Sequence, residues 1–173
     1  MKKQWLSVLS LLAGLTFCCG AAETVLNDDF STNAVSDGAP AGWAVYKTGP
    51  VHGKIGVREK GSAKVLYLND TDDKSEIGIT RRLSAVPGKY YRLSAEVLPG
   101  AKMGRHLPGL QLRFLKRPAN TIKQVPLAAG KTASITLQAD ADMLQIYLYT
   151  MRAGGQSELC VGRIKLEVSD KPF

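Results

Sequence analysis

Tyr90-Tyr91-Arg92-Leu93-Ser94-Ala95-Glu96-Val97-Leu98 alternates: Tyr91, Leu93, Ala95 and Val97 form one set, and Tyr90, Arg92, Ser94 and Glu96 form the other. A period of two marks a strand with one buried face, because successive side chains of extended backbone point to opposite sides of a sheet. The flanks agree. Val86-Pro87-Gly88-Lys89 places Pro and Gly at the centre of a turn, and Pro99-Gly100 closes the strand. The same alternation sets Leu110, Leu112 and Phe114 against Gln111 and Arg113, and Leu144, Ile146 and Leu148 against Gln145, Tyr147 and Tyr149. Further extended pieces are Val45 to Val57, broken by Gly49-Pro50 and Gly53, then Lys64 to Leu68, Glu76 to Leu83, Ile122 to Leu127, Ala133 to Gln138 and Leu159 to Val168. About eight to ten short strands with turn residues between them, and no amphipathic helix, predict an all-β fold: a β-sandwich (jelly roll) of two antiparallel sheets.

The chain has 173 residues, 45% hydrophobic and 22% charged, which suits one globular domain and excludes disordered and fibrous classes. Its first 22 residues read as an export signal: Lys2-Lys3, an apolar run from Trp5 to Phe17, then small Gly20-Ala21-Ala22. The expected mature domain is therefore residues 23–173, exported to the periplasm, the cell surface or the medium. Lipoprotein processing at Cys18 or Cys19 stays open as an alternative, although bulky Phe17 precedes the first of them. No stretch beyond the signal is apolar enough for a transmembrane segment, which needs about 18 such residues.

A cut after Ala22 leaves one cysteine, Cys160, in Glu158-Leu159-Cys160-Val161, so no internal disulfide forms and the thiol is expected to serve as a small buried hydrophobe. The formal charge of +8 includes Lys2 and Lys3; without them 21 basic residues face 15 acidic ones. These cations are scattered, with Arg81-Arg82 and Lys116-Arg117 the only adjacent pairs after the signal, so no nucleic-acid stripe exists. Diffuse positive charge does favour encounter with anionic polysaccharide or envelope surfaces.

If the alternating strands share a sheet, its outer face carries Tyr147, Tyr149, Gln145, Gln111, Arg113, Arg92 and Glu96. Aromatic rings mixed with planar amides and guanidinium forks suit a sugar, whose C–H face stacks while its hydroxyls need directional partners. Catalysis has little support. His52 and His106 sit beside loop residues, no nucleophile elbow or zinc-protease motif occurs, and Glu96 is the one carboxylate within the best strand, where glycoside hydrolysis needs two. The run Asn69-Asp70-Thr71-Asp72-Asp73-Lys74-Ser75-Glu76 lacks the glycine and distal glutamate of a calcium loop and reads as a solvated hairpin loop.

Asn27-Asp28-Asp29-Phe30 followed by Gly38-Ala39-Pro40-Ala41-Gly42-Trp43 resembles the opening of galactose-binding-like jelly rolls, especially the CenC-type carbohydrate-binding modules of families four, nine and twenty-two. Val86-Pro87-Gly88-Lys89-Tyr90-Tyr91-Arg92-Leu93-Ser94-Ala95 is similar to one of their strands, and Leu159 to Val168 to their last. The resemblance implies a structural role for Trp43 and binding on the concave sheet face or at the loop tips. The concave face is the expected carbohydrate site, with Tyr147, Tyr149, Gln111, Arg113 and Arg92. The resemblance also implies a structural calcium, Ca2+, held by Asn27, Asp28 and Asp29. Val161-Gly162-Arg163-Ile164 departs from the pattern by placing an arginine where late acidic residues are expected.

The expectation is an exported, noncatalytic carbohydrate- or polysaccharide-binding module with no cofactor beyond that calcium. The alternative is an envelope or periplasmic protein-interaction or structural domain on the same fold, docking onto another exported protein.

Overall fold

The computed structural model describes residues 21–50, 52–72, 74–150 and 157–173. The expected export signal, residues 1–22, lies outside the described residues except for Ala21 and Ala22, and Cys18 and Cys19 lie outside them too. The strands are β1 (Glu23–Asp28), β2 (Ser36–Asp37), β3 (Ala44–Lys47), β4 (Gly53–Lys60), β5 (Ala63–Asp70), β6 (Ile77–Ser84), β7 (Tyr90–Val97), β8 (Gly109–Phe114), β9 (Thr121–Pro126), β10 (Thr132–Gln138), β11 (Met143–Tyr149) and β12 (Ser157–Ser169). No helix among the described residues is long and apolar enough to cross a membrane.

The strands form two antiparallel sheets, a jelly roll. One is seven-stranded, ordered β10-β7-β12-β5-β4-β2, with β1 paired to the second half of β12; the other is five-stranded, ordered β3-β6-β11-β8-β9. Long β12 integrates the larger sheet, pairing β5 through Ser157–Val161, β1 through Ile164–Val168, and β7 along its other edge.

The alternation predicts the inner faces correctly. Tyr91, Leu93, Ala95 and Val97 are buried to 3% exposure or less, and Leu110, Leu112, Phe114, Leu144, Ile146 and Leu148 are inaccessible. They meet Leu66, Leu68, Leu159, Val161, Ile164 and Leu166 between the sheets, each side chain contributing roughly 1.5–3 kcal/mol on leaving water. The turn before β7 is also as expected: Lys89 N–H donates to Val86 O (3.2 Å), and Gly88 takes the positive φ of +88° that a Pro-Gly turn of this type requires.

Two features differ from expectation. Twelve strands are present among the described residues, more than expected, because β1 and two-residue β2, which bury only Leu26 between them, show no alternation by which to be read. The Val45 and Val57 pieces, though neighbours in sequence, join different sheets, β3 in the five-stranded and β4 in the seven-stranded one. Alternation assigns faces within a strand; partnership depends on the chain path between strands.

Candidate functional site

The outer face of the five-stranded sheet is organised in rows set by strand register. Tyr46, Gly78, Tyr149, Gly109 and Pro126 form the first, from β3 through β6, β11 and β8 to β9. Ala44, Thr80, Tyr147, Gln111 and Gln124 form the second, and Arg82, Gln145, Arg113 and Ile122 the third. Adjacent members lie one strand spacing apart, roughly 5 Å, so one end of the face is aromatic, the middle amide and hydroxyl, and the other end cationic.

The glycines are part of the design. A Cβ at Gly78 would meet Leu148 O at 2.1 Å and Tyr149 Cα at 2.6 Å, and one at Gly109 would meet the Tyr149 ring at 3.2 Å. Tyr149 therefore leans over Gly109, and its hydroxyl donates to Gln124 Oε1 (2.7 Å). Tyr46 stands edge-on to both neighbouring tyrosines, with ring centroids 5.1 Å from Tyr147 and 5.5 Å from Tyr149, an arrangement favoured by the ring quadrupoles. Its hydroxyl donates to Glu76 Oε2 (2.8 Å), and partial burial, then that carboxylate, pushes the Tyr46 phenol well above its usual range. Burial also raises the Tyr149 phenol. Both therefore act as neutral hydroxyls.

The polar groups between them are held in fixed orientations. Arg113 Nε donates to Gln111 Oε1, Gln111 Nε2 to Gln124 Oε1 (3.1 Å), and Gln145 Nε2 to Thr80 Oγ1 (2.9 Å). The Arg113 guanidinium stacks 4.3 Å from the centroid of Tyr147. Tyr147 and Tyr149 retain only 8% and 6% exposure. They form the bed of the face, and half-buried Tyr46 with exposed Arg82 and Gln124 forms what a ligand meets first.

Of the expected site residues, the structure brings together Tyr147, Tyr149, Gln111 and Arg113. Arg92 is not with them. It lies on β7 in the other sheet, where Nη2 is 2.9 Å from Glu167 Oε2 and the guanidinium sits 4.3 Å from the Phe173 ring centroid. Glu96 is likewise on β7. Both follow from β7 pairing with β10 and β12 rather than with β8 or β11. Conversely, Tyr46, Thr80, Arg82 and Gln124 belong to the face without having been expected there. The signal was weak: β3 spans four residues, and β9 is too polar for alternation to show.

The expected calcium ligands are used otherwise. Asp28 Oδ1 accepts from Phe30 N–H (3.0 Å) and its Oδ2 from the Trp43 indole Nε1–H (2.8 Å). Asp29 Oδ1 accepts from the Ser31 hydroxyl (2.7 Å) and amide, which lower its pKa, with Arg163 acting in the same direction. Asn27 is exposed on β1. With both Asp28 oxygens taken by N–H donors and Asp29 turned to Ser31, Asn27, Asp28 and Asp29 as placed do not fit a Ca2+ site. Asp28 instead locks fully buried Phe30, whose φ is +61°, and joins it to Trp43, which is 8% exposed. That accounts for Trp43 as a structural residue.

Two smaller corrections concern the run at residues 69–76 and Cys160. Asp70 and Ser75 in the expected solvated loop are buried at 0% and 2% exposure. Asp70 Oδ2 accepts the Thr150 hydroxyl (2.5 Å), and burial raises its pKa. Exposed His52 has Nε2 3.4 Å from Asp72 Oδ2. Cys160 is half-buried and opposite Tyr67 on the outward side of β12, not in the core; partial burial pushes its thiol up, away from the reactive thiolate.

No protein-family model matches the chain, and no curated protein sequence is significantly similar to it. Solved structures are similar in fold. The TmCBM61 module, solved in complex with β-1,4-galactotriose, superposes at a TM-score of 0.54 with 9% identity, covering 86% of this chain and 99% of that one. The CBM22-1–GH10 modules of Clostridium thermocellum xylanase 10B, complexed with xylohexaose, give 0.57 with 13% identity, covering 86% and 29%. The enzymatically active domain of bacteriophage CBA120 tailspike protein 4 gives 0.55 with 12% identity over 75% of this chain, which spans 20% of that larger one. The chain has the jelly-roll fold found in carbohydrate-binding modules.

Proposed function

We propose that the protein is an exported, noncatalytic carbohydrate-binding module whose site is the outer face of the five-stranded sheet. The observation that carries this reading is the ordered array of Tyr46, Tyr147, Tyr149, Thr80, Gln111, Gln124, Gln145, Arg82 and Arg113 on one face, with Arg113 bonded to Gln111, Gln111 to Gln124 and Gln145 to Thr80. A sheet face that met only water would have no need of a tyrosine packed edge-on against two others and an oriented amide chain. For a sugar chain, such an array offers ring edges to C–H surfaces and directional partners to hydroxyls, with little ordering left to do on binding. The noncatalytic part of the reading is supported by sequence: none of the five strands contains Asp or Glu, and the carboxylate that touches the face, Glu76, is engaged by Tyr46, where glycoside hydrolysis needs a pair.

The test is retention of the protein on a glycan array and on insoluble polysaccharides, beside Tyr46→Ala and Gln111→Ala and a control, Tyr67→Ala, on the other sheet. Binding that falls at least ~10-fold in the first two, with their folds intact and the control unaffected, supports the reading. Absence of binding to every glycan rejects it in favour of a domain that docks onto another exported protein.

A further inference from the structure

Acidic residues are segregated between the two sheets. The strands of the seven-stranded sheet carry Glu23, Asp28, Asp37, Glu59, Asp70, Glu96, Glu158 and Glu167, whereas those of the five-stranded sheet carry none. The same five strands contain Lys47, Arg81, Arg82, Arg113 and Lys123. A surface whose charges serve solubility intersperses both signs; here the strands carry only cations, and the carboxylates that touch the sheet, Glu76 at Tyr46 and Asp140 at Thr121, come from flanking loops.

That charge is concentrated at one end of the site. Arg82 and Arg113 flank Gln145 in a single register row. Beside them, where β6 and β11 meet the start of β3, Trp43, Thr80, Arg81, Arg82 and Gln145 line a cleft of about 470 Å³. Arg81 lies 5.9 Å from the Trp43 ring centroid, and Gly42 leaves it room: a Cβ there would come within 3.0 Å of its guanidinium. Among the described residues neither Arg81 nor Arg82 forms an ion pair, whereas Arg58 and Arg92 of the other sheet bond to Asp37 and Glu167. Arg113 is held by Gln111 and Tyr147, neither of which neutralises it. Two guanidinium forks, Arg82 from the outer face and Arg81 reaching round from the opposite side of β6, therefore border a cleft that adjoins the outer face at Thr80 and Gln145 and has no acidic side chain in its lining.

We infer that this cleft takes the oxyanion of an acidic sugar, and that the glycan recognised is an anionic polysaccharide bearing carboxylate or sulfate groups. The inference rests on the reading of the face as a glycan site and adds its substrate class. Guanidinium recognises such oxyanions through paired, charge-assisted N–H···O bonds, which a lysine in the same place cannot reproduce. The neutral part of each sugar would then lie over the middle row, beside Tyr46 and Gln124.

The experiment measures affinity of the protein for polygalacturonate, dextran sulfate and neutral xylan and galactan at a fixed ionic strength. It uses Arg81→Gln, Arg82→Gln, Arg82→Lys, Tyr46→Ala and a charge control, Lys131→Gln, at an exposed turn. The expected result is binding to polygalacturonate that weakens at least ~10-fold in each arginine-to-glutamine variant and remains impaired in Arg82→Lys, with Lys131→Gln unaffected. Binding to the sulfated polymer alone, with the same arginine dependence, supports the inference with sulfate as the oxyanion. Equal losses in Lys131→Gln, or full rescue by Arg82→Lys, would mean diffuse attraction and overturn it. Binding to xylan or galactan that depends on Tyr46, without binding to either polyanion, overturns the inference and leaves the glycan reading standing. Absence of binding to all four overturns the inference, and absence of binding to every glycan of the array as well defeats both.

Discussion

Single contacts decide how the loops are attached. The Trp43 indole N–H and the Phe30 amide share the Asp28 carboxylate from opposite oxygens, so one side chain ties the end of β1 to the turn before β3. Replacing Trp43 with Phe retains most of the buried ring but leaves Asp28 Oδ2 without its donor, and the unfolding free energy in urea should drop by about 1–2 kcal/mol; an unchanged midpoint would contradict this account. Asp70 acts through ionisation. Its carboxyl is buried beneath Thr150, and its pKa is raised above the ordinary 3.8 mainly by that burial, so the folded state binds the proton more tightly than the unfolded chain. Its contribution is fully present below pH 3.8 and lost as pH rises through the folded value. Glu167 acts in the opposite sense: hydrogen bonds from Lys165 and Arg92 lower its pKa below 4.5, giving stability that is present above that pH and lost as pH falls through the folded value. Asp70→Asn should therefore be at least as stable as the parent at pH 7 and show a shallower decline in stability from pH 4 upward; a marked destabilisation at pH 7 would show that the charged form is needed. Little of this was legible beforehand. Asp70 sits in a polar run, and only the later strand end at Thr150 reveals that it is buried.

At the scale of the strands, the two glycines of the aromatic row make separable predictions. Gly78 touches backbone: its added Cβ would lie 2.1 Å from Leu148 O, so Gly78→Ala must push β6 away from β11. A loss of roughly 1–3 kcal/mol or failure to fold is expected. The atoms nearest to a Cβ added at Gly109 are side-chain atoms, of the Tyr149 ring and the Gln124 amide, at 3.1–3.2 Å. Gly109→Ala should fold with a similar melting temperature yet displace Tyr149, visible as altered tyrosine fluorescence and weaker glycan binding; unchanged binding would remove Tyr149 from the site. The inner faces of β7, β8 and β11 were readable because burial on one face imposes alternation on the sequence itself. Arg92 was misplaced for the complementary reason: its alternation resembles that of Arg113, but the pairing of β7 with β10 and β12 is set by contacts far apart in the chain. Tyr46 escaped notice because a four-residue edge strand is too short to establish a period.

Across the whole molecule, one sheet holds every strand carboxylate and the other the aromatic, amide and cationic rows. The jelly roll itself was legible from strand spacing and turn residues. The division of labour between its sheets was not, because it emerges only when strands distant in sequence become neighbours. The central claim is that the outer face of the five-stranded sheet is where glycan binds. It is tested most directly by titrating 15N-labelled protein with a soluble oligosaccharide of whichever polysaccharide retains it, and mapping the backbone amides that shift. The account predicts changes concentrated at Tyr46, Thr80, Arg82, Gln111, Arg113 and Tyr147. Shifts confined to the outer face of the other sheet around Tyr67 and Cys160, or to the turn tips, would contradict it.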